Sequence, residues 1–295
     1  MSHQLPLFRS LPASQVVNVA QVKHRRPLRY PGGKTWLVPR IFQWLRSLDQ
    51  PPAEFVEPFC GGAIVGLTVG FERLAEHVTL VELDEQVAAI WQTIINDSGG
   101  GEWLAQRIES FQMSSEAVEQ LLEQEPATTS DRAFQALILN RTNRGGILAK
   151  GAGRIKHGEN GKGIASRWYP KTLARRVRDI ALIRDRFTFR QGDSLQILLE
   201  YAPRPDALYF IDPPYTAGGK SAGSRLYTYS ELDHERLFQL AATLQGDLLL
   251  TYDNAPEVRH LAAKHGFDTA PIAMKTTHHA RLTELLVGRD LAWAR

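Results

Sequence analysis

From Glu54 onward, short apolar runs alternate with amphipathic stretches of helical length, and this alternation restricts the possible folds more than any other feature. A strand, a helix and a second parallel strand make a βαβ unit, and repeated units build a mostly parallel sheet covered by helices on both faces. Glu54 to Phe59, Val78 to Glu82, Phe187 to Arg190, Ala207 to Ile211, Leu248 to Tyr252, Phe267 to Ile272 and Glu284 to Val287 read as strands. Ile64 to Leu74, Gln86 to Asn96, Leu195 to Tyr201, Leu232 to Leu244 and Pro256 to His265 read as helices. The expected class is α/β with a doubly wound sheet.

One interval breaks the alternation. Asp97 to Arg186 holds helical periodicity at Trp103 to Ser110, Ser115 to Leu122, Asp131 to Asn140 and Lys171 to Arg184, with no buried-strand run. Between them lies Gly145 to Arg167, rich in glycine and lysine. The expected organisation is one domain, residues 25–96 and 186–295, interrupted by a mainly helical insert, residues 97–185. With 295 residues, 43% hydrophobic and 23% charged, the chain can bury one good core and carry such an insert. Residues 1–24 read as a flexible leader: the start mixes polar residues, prolines and short apolar patches, unlike a signal peptide or a membrane span. The single cysteine, Cys60, excludes an internal disulfide and gives no cysteine-based metal site; a cytoplasmic location is expected and no metal.

The net charge of +3 is too small to define a partner, but its distribution is informative. Between Arg141 and Arg178, eleven lysines and arginines face the lone acid Glu159. Such a segment gains affinity for a polyanion by displacing counterions.

Two motifs carry chemistry. In the first, a strand runs through Glu57-Pro58-Phe59-Cys60-Gly61-Gly62-Ala63 into a helix, and glycine lets backbone pass close to a ligand there. The next strand ends in Glu82-Leu83-Asp84, so Glu82 lies roughly 20 residues past the turn, the offset at which nucleotide-binding α/β folds bond a ribose diol. The same turn also suits a fold that binds no cofactor. Pro31-Gly32-Gly33-Lys34-Thr35 imitates a phosphate loop, but Leu28 stands where that motif has glycine and no apolar strand precedes it. Gly61-Gly62-Ala63-Ile64-Val65-Gly66 lacks the dinucleotide spacing, which leaves a nucleoside without pyrophosphate as the expected ligand.

In the second motif, the strand Leu208 to Ile211 delivers Asp212-Pro213-Pro214-Tyr215 at its carboxyl end, where open α/β sheets place their sites. The prolines fix φ and restrict the residue before each, so Asp212 and the Pro213 carbonyl are held rigidly. The exocyclic amine of a base is a weak nucleophile because its lone pair is delocalised into the ring. Two acceptors bonded to its hydrogens localise that pair, and a following aromatic gives a flipped base a stacking face. Alone, the tetrapeptide also fits a structural turn with Asp212 as a cap.

Taken together with Arg29-Tyr30-Pro31-Gly32-Gly33-Lys34 and Leu139-Asn140-Arg141-Thr142-Asn143-Arg144-Gly145-Gly146-Ile147-Leu148, these motifs resemble the Dam-like family of adenine-specific DNA methyltransferases. The resemblance covers nearly all of the chain after the leader. It implies a Rossmann-like S-adenosylmethionine-dependent methyltransferase sheet with an inserted target-recognition region. It implies S-adenosylmethionine as cofactor, held by Tyr30, Gly33, Lys34, Glu57, Pro58, Phe59, Gly61, Glu82, Asp84, Asp193 and Asp212, with Asp193 flanking the cofactor's adenine. Catalysis falls to Asp212, Pro213, Pro214 and Tyr215, acting on an adenine flipped out of double-stranded DNA. Without the motif, Lys34 reads as a solvated lysine and Tyr30 as a half-buried core aromatic. Where the family commonly carries an aromatic and a further asparagine, this chain has Arg144-Gly145-Gly146.

Arg141, Asn143, Arg144, Lys150, Arg154, Lys156, Lys162 and Arg167 are the candidate DNA contacts, with Asn160-Gly161 as a possible hairpin turn and Arg167-Trp168-Tyr169 as stacking groups. The loop Thr216 to Thr228 is placed to close over the substrate. A cognate restriction endonuclease is a further expected partner. Competing readings are methylation of cytosine N4 in DNA or adenine N6 in RNA, and, from another class, a DNA-binding regulator with a vestigial pocket.

Overall fold

The computed structural model describes residues 11–158, 161–214, 228–229, 231–275 and 281–295. Its centre is a seven-stranded sheet of β1 (Glu54–Glu57), β2 (His77–Glu82), β3 (Phe187–Gln191), β4 (Ala207–Ile211), β5 (Leu248–Asp253), β6 (Asp268–Lys275) and β7 (Arg281–Gly288), in the order β3-β2-β1-β4-β5-β7-β6. Neighbouring pairs among β1 to β5 run parallel; β7 is antiparallel to both β5 and β6. β1 and β4 are buried along their whole length, as strands covered on both faces must be. From β1 the chain steps outward to β2 and β3, then returns to β4 beside β1. The strand order therefore reverses between β1 and β4, and the crevice at their carboxyl ends is where such sheets bind ligands. The expected α/β sheet is present, all seven strands at the expected places.

The flanking helices are α1 (Val38–Arg46), α2 (Ile64–Glu72), α3 (Glu85–Trp91), α4 (Gly100–Ser110), α5 (Ser115–Leu122), α6 (Thr129–Thr142), α7 (Pro170–Ala181), α8 (Ser194–Tyr201), α9 (His234–Thr243) and α10 (Pro256–Lys264). α3 runs on into a π-helical turn, Gln92–Asn96. α1 was not anticipated, although Leu37, Val38, Ile41, Phe42, Trp44 and Leu45 are buried at helical spacing and Pro39 sits at the helix start, where it is tolerated. None of the described helices is long and apolar enough to cross a membrane.

Residues 97–185 supply α4 to α7. Leu104, Ile108, Phe134, Leu137, Leu173 and Val177 from these helices join the same apolar cluster as Leu80 and Phe189 of the sheet. The insert is thus built against the sheet's own core. The leader is also less loose than expected from Leu11 onward. The buried Arg40 guanidinium donates to the carbonyls of Leu11 (3.0 Å), Pro12 (2.8 Å) and Gln15 (3.2 Å), and the Ala273 amide donates to the Ala13 carbonyl (3.1 Å). These carbonyls satisfy a cation that burial would otherwise leave unpaired.

Asn140, fully buried on α6, joins the insert to the segment that leads into α1. Its Oδ1 accepts from the Arg29 amide (2.8 Å), and its Nδ2 donates to the carbonyls of Arg29 (2.7 Å) and Gly146 (2.7 Å). Asn140→Ala would leave buried backbone groups without partners, so the expected loss is about 2–4 kcal/mol of unfolding free energy, read from urea denaturation.

Candidate active site

The glycine turn between β1 and α2 is held by carboxylates rather than by its own side chains. Ala63, the residue before α2, is left-handed (φ 50°) and gives the helix no side-chain cap. The buried Glu57 supplies one: its Oε2 accepts from the Gly66 amide (2.7 Å), inside the helix's first turn, where anionic charge is favoured. Burial, reinforced by the nearby Asp212 charge and opposed by that hydrogen bond, pushes the Glu57 carboxyl well above its ordinary range. A Cβ on Gly66 would lie 2.5 Å from the same oxygen, so glycine is required there.

Gly61 is pinned at both ends, its amide donating to Glu82 Oε2 (2.9 Å) and its carbonyl accepting from the buried Trp91 Nε1 (2.8 Å). Its φ of 45° favours glycine, and any Cβ would run into the Tyr30 ring, which lies directly over the turn. Glu82 accepts two further amides on Oε1, from Leu83 (2.8 Å) and Asp84 (3.0 Å). A carboxylate has about four acceptor positions. Three are used by backbone, which fixes the group and leaves capacity for one hydroxyl donor. Burial raises this carboxyl to about 7 despite those bonds.

Across the cleft, Lys34 is fully buried and donates to Asp212 Oδ1 (2.8 Å) and to the Gly32 carbonyl (3.1 Å), with Glu284 Oε2 at 3.8 Å. Burial alone would lower the Lys34 ammonium, but Asp212 and Glu284 outweigh it and hold it above its ordinary value. The Thr251 hydroxyl donates to the same Asp212 oxygen (2.7 Å). Asp212 is therefore oriented from two sides, by Lys34 and by β5.

Tyr30, Gly33, Lys34, Glu57, Phe59, Glu82, Asp84, Asp193, Asp212, Pro213 and Pro214 all line one cleft of about 280 Å³. Gly61 lies just behind its wall. Pro58 is not among the lining residues, and its carbonyl accepts from the Ser194 hydroxyl. Asp84 and Asp193 also cap helices: Asp84 Oδ1 accepts from Gln86 (2.8 Å) and Asp193 Oδ1 from Leu195 (2.8 Å), at the starts of α3 and α8. Tyr215 and residues 216–227 of the following loop lie outside the described residues, while Thr228 and Tyr229 line the cleft. Sequence reasoning missed Arg26, Thr251, Glu284 and the insert residues Gly146, Leu148 and Ala149. Only Gly146 and Leu148 carried a signal, since they end the segment opened by Leu139.

The basic segment divides. Arg141 and Asn143 are buried and serve the fold: Arg141 donates to the Pro27 carbonyl, and Asn143 Nδ2 donates to the Ile147 carbonyl (2.8 Å). Burial and the surrounding arginines push Arg141 down to about 9. Both were expected at DNA; in the structure they are buried at the end of α6 and bond backbone carbonyls of the fold. Residues 142–155 form a short hairpin, with Arg144 N donating to Gly153 O (2.9 Å) and Ile155 N to Thr142 O (2.8 Å). Its observed turn is at Ala149–Ala152; the Asn160 position expected to turn lies outside the described residues. Arg144 and Lys150 are exposed on it, as are Lys156 and Lys162 beyond it; Arg154 and Arg167 are half-buried. Trp168 packs edge-on to Phe111 at 6.0 Å, a core contact rather than a stacking face, while Tyr169 is exposed. Arg178 is engaged by Glu102 and Glu109 of α4 (2.8 Å each), so acids distant in sequence neutralise part of the basic run.

Residues 30–275 match the family model for the D12 class N6 adenine-specific DNA methyltransferases. The structure is similar to an rRNA methyltransferase from Streptomyces viridochromogenes (15% identity, 97% of each chain covered, TM-score 0.42). It is also similar to the methyltransferase domain of bacterial CtHen1 (10% identity, 84% of this chain and 96% of that one, TM-score 0.35). No curated protein matches the chain significantly.

A ligand hydroxyl held by Glu82 is expected to bind with pH-dependent affinity. A diol donates to the ionised carboxylate, and Glu82 gains its proton as pH falls through about 7. Affinity for S-adenosylmethionine should therefore be flat above that pH and fall below it, by up to about tenfold per unit. Calorimetric titrations between pH 5.5 and 8.5 measure this, and Glu82→Gln should weaken binding and remove the slope.

Proposed function

Because the chain belongs to the D12 class N6 adenine-specific DNA methyltransferase family, we propose that the cleft at the carboxyl ends of β1, β2 and β4 holds S-adenosylmethionine and presents Asp212 to the adenine amine. The chain is an enzyme that methylates the N6 amino group of adenine in DNA. The observation that carries the site assignment is the buried Lys34–Asp212 pair facing the turn that Glu82 anchors.

The donors and spaces of the cleft fit this cofactor. Glu82 retains acceptor capacity for a ribose hydroxyl, and Phe59, Leu83, Val87 and Leu195 give apolar walls for an adenine ring. The glycines of the turn let Tyr30 pack directly against the backbone, since a Cβ at Gly61 or Gly62 would collide with it, and Tyr30 itself lines the cleft. The surrounding carboxylates suit a ligand that carries a sulfonium and an ammonium. When bound, S-adenosylmethionine supplies an activated methyl group.

The chain's own residues then act on the base. Asp212 accepts one amino hydrogen and the Pro213 carbonyl the other, which turns the nitrogen lone pair toward the cofactor side of the cleft. Lys34 holds the Asp212 carboxylate in an ion pair, and the Thr251 hydroxyl keeps it from rotating. The two prolines keep the carbonyl at a constant offset from the carboxylate. Tyr215 stacks on the flipped adenine in this scheme. Residues 97–185 serve as the target-recognition region, with Arg144, Lys150 and Arg154 of the hairpin and the following Lys156, Lys162 and Arg167 on DNA phosphates.

Asp212→Asn keeps the side-chain shape and removes its charge. The expected result is at least about a hundredfold slower transfer of labelled methyl to DNA, with S-adenosylmethionine affinity changed by no more than a few-fold. Near-normal turnover would overturn the assignment of Asp212.

A further inference from the structure

The cleft that the proposed function fills is crowded with carboxylates, and its two cations are Lys34 and Arg26 among the described residues. Lys34 is committed to Asp212, with Glu284 nearby. Arg26 has no such partner. Its Nη1 is buried and makes no hydrogen bond, and its strongest charged neighbours are the like-charged Arg176 and Arg29. Burial first, then those two arginines, pushes the guanidinium down to about 10. A buried guanidinium whose Nη1 has no hydrogen-bond partner, set beside like charge, is arranged for an anion that arrives from outside.

The place of the guanidinium says which anion. Nη1 occupies the space that a Cβ on Gly33 would need, and it lies 3.4 Å from a Cβ built on Gly62. Both glycines line the cleft, and Gly62 belongs to the turn between β1 and α2. Arg26 therefore stands beside the glycine turn, where the glycines leave room for its planar fork.

We propose that Arg26 is the seat for the carboxylate of the cofactor's amino-acid end. This rests on the reading of the cleft as an S-adenosylmethionine site. A planar guanidinium matches a carboxylate through two parallel hydrogen bonds, which lysine cannot reproduce. The ligand brings the negative charge that this arginine lacks, while its sulfonium and ammonium meet the surrounding acids. Ligand binding thereby also relieves repulsion among Arg26, Arg29 and Arg176. Arg26 is a binding and positioning residue, fixing how far the amino-acid end enters the cleft.

Arg26→Gln and Arg26→Lys, both lessening or preserving charge without adding bulk, test this by calorimetry with two probes: S-adenosylmethionine and its decarboxylated form, which lacks only the carboxylate. Arg26→Gln is expected to weaken S-adenosylmethionine binding about ten- to a hundredfold while leaving affinity for the decarboxylated form within about twofold of the wild type. Arg26→Lys should fall between wild type and Gln for S-adenosylmethionine. Equal losses for both probes, or no loss for either, would overturn the proposal. Affinity for a short duplex, read by fluorescence anisotropy without cofactor, should be unchanged in Arg26→Gln; lost duplex affinity with intact cofactor binding would reassign the arginine to a DNA phosphate and overturn the proposal. Circular dichroism melting checks that each variant folds. A wild-type protein that binds neither probe would overturn the cofactor reading itself, an outcome distinct from failure of Arg26 alone.

Discussion

The buried pair of Lys34 and Asp212 is the contact on which the site depends. Taking two charges out of water is costly unless geometry and further hydrogen bonds compensate. Here Lys34 also meets the Gly32 carbonyl and Glu284, and Asp212 also meets Thr251. The pair therefore joins the segment before α1, the end of β4, and through Glu284 the antiparallel β7. Loss of either partner would remove the main compensation for the buried Lys34 charge, so the segment before α1 and the end of β4 are held together. That coupling holds the Asp212 carboxylate at a constant distance from the segment before α1.

The turn shows the same economy in its use of backbone. Ala63 and Gly61 adopt left-handed conformations, a strained arrangement for alanine that persists where surroundings over-determine it. The surroundings are two acids, Glu57 buried and Glu82 half-buried: Glu57 satisfies an amide at the start of α2, and Glu82 satisfies the amides of Gly61, Leu83 and Asp84. Both carboxyls are pushed up by burial, which is the cost of using them as scaffolding in a ligand cleft. At Glu82 the same shift makes the anchor sensitive to pH near neutrality.

Much of the fold was legible in local pattern. Each of the seven strands is a short apolar run between helices, and β1 and β4 are apolar enough for burial on both faces. Boundaries moved by a few residues where a side chain took over a backbone group: α3 starts at Glu85 because Asp84 caps it, and its end loosens into a π-helical turn. α1 escaped notice because Pro39 and the turn-like segment before it mask a helical spacing of apolar residues. The place of the cleft was legible where a strand end delivers a residue into it, as at Glu82 and Asp212. Arg26 and Thr251 carry no such mark; one sits in a basic run and the other inside an apolar strand.

By itself, the sequence determined the order of strands and helices, the glycines that permit a ligand near backbone, and the rigid Asp212-Pro213-Pro214 loop, because these depend on local sterics and on hydrophobic period. Tertiary structure decided which charges meet. It paired Lys34 with Asp212 rather than with solvent, and turned Arg141 and Asn143 inward to serve carbonyls while leaving Arg144 and Lys150 outside. It also set Arg178 against Glu102 and Glu109. The physical reason is that a charged side chain's role depends on burial and on neighbours brought from distant parts of the chain. Neither is written in its own stretch of sequence.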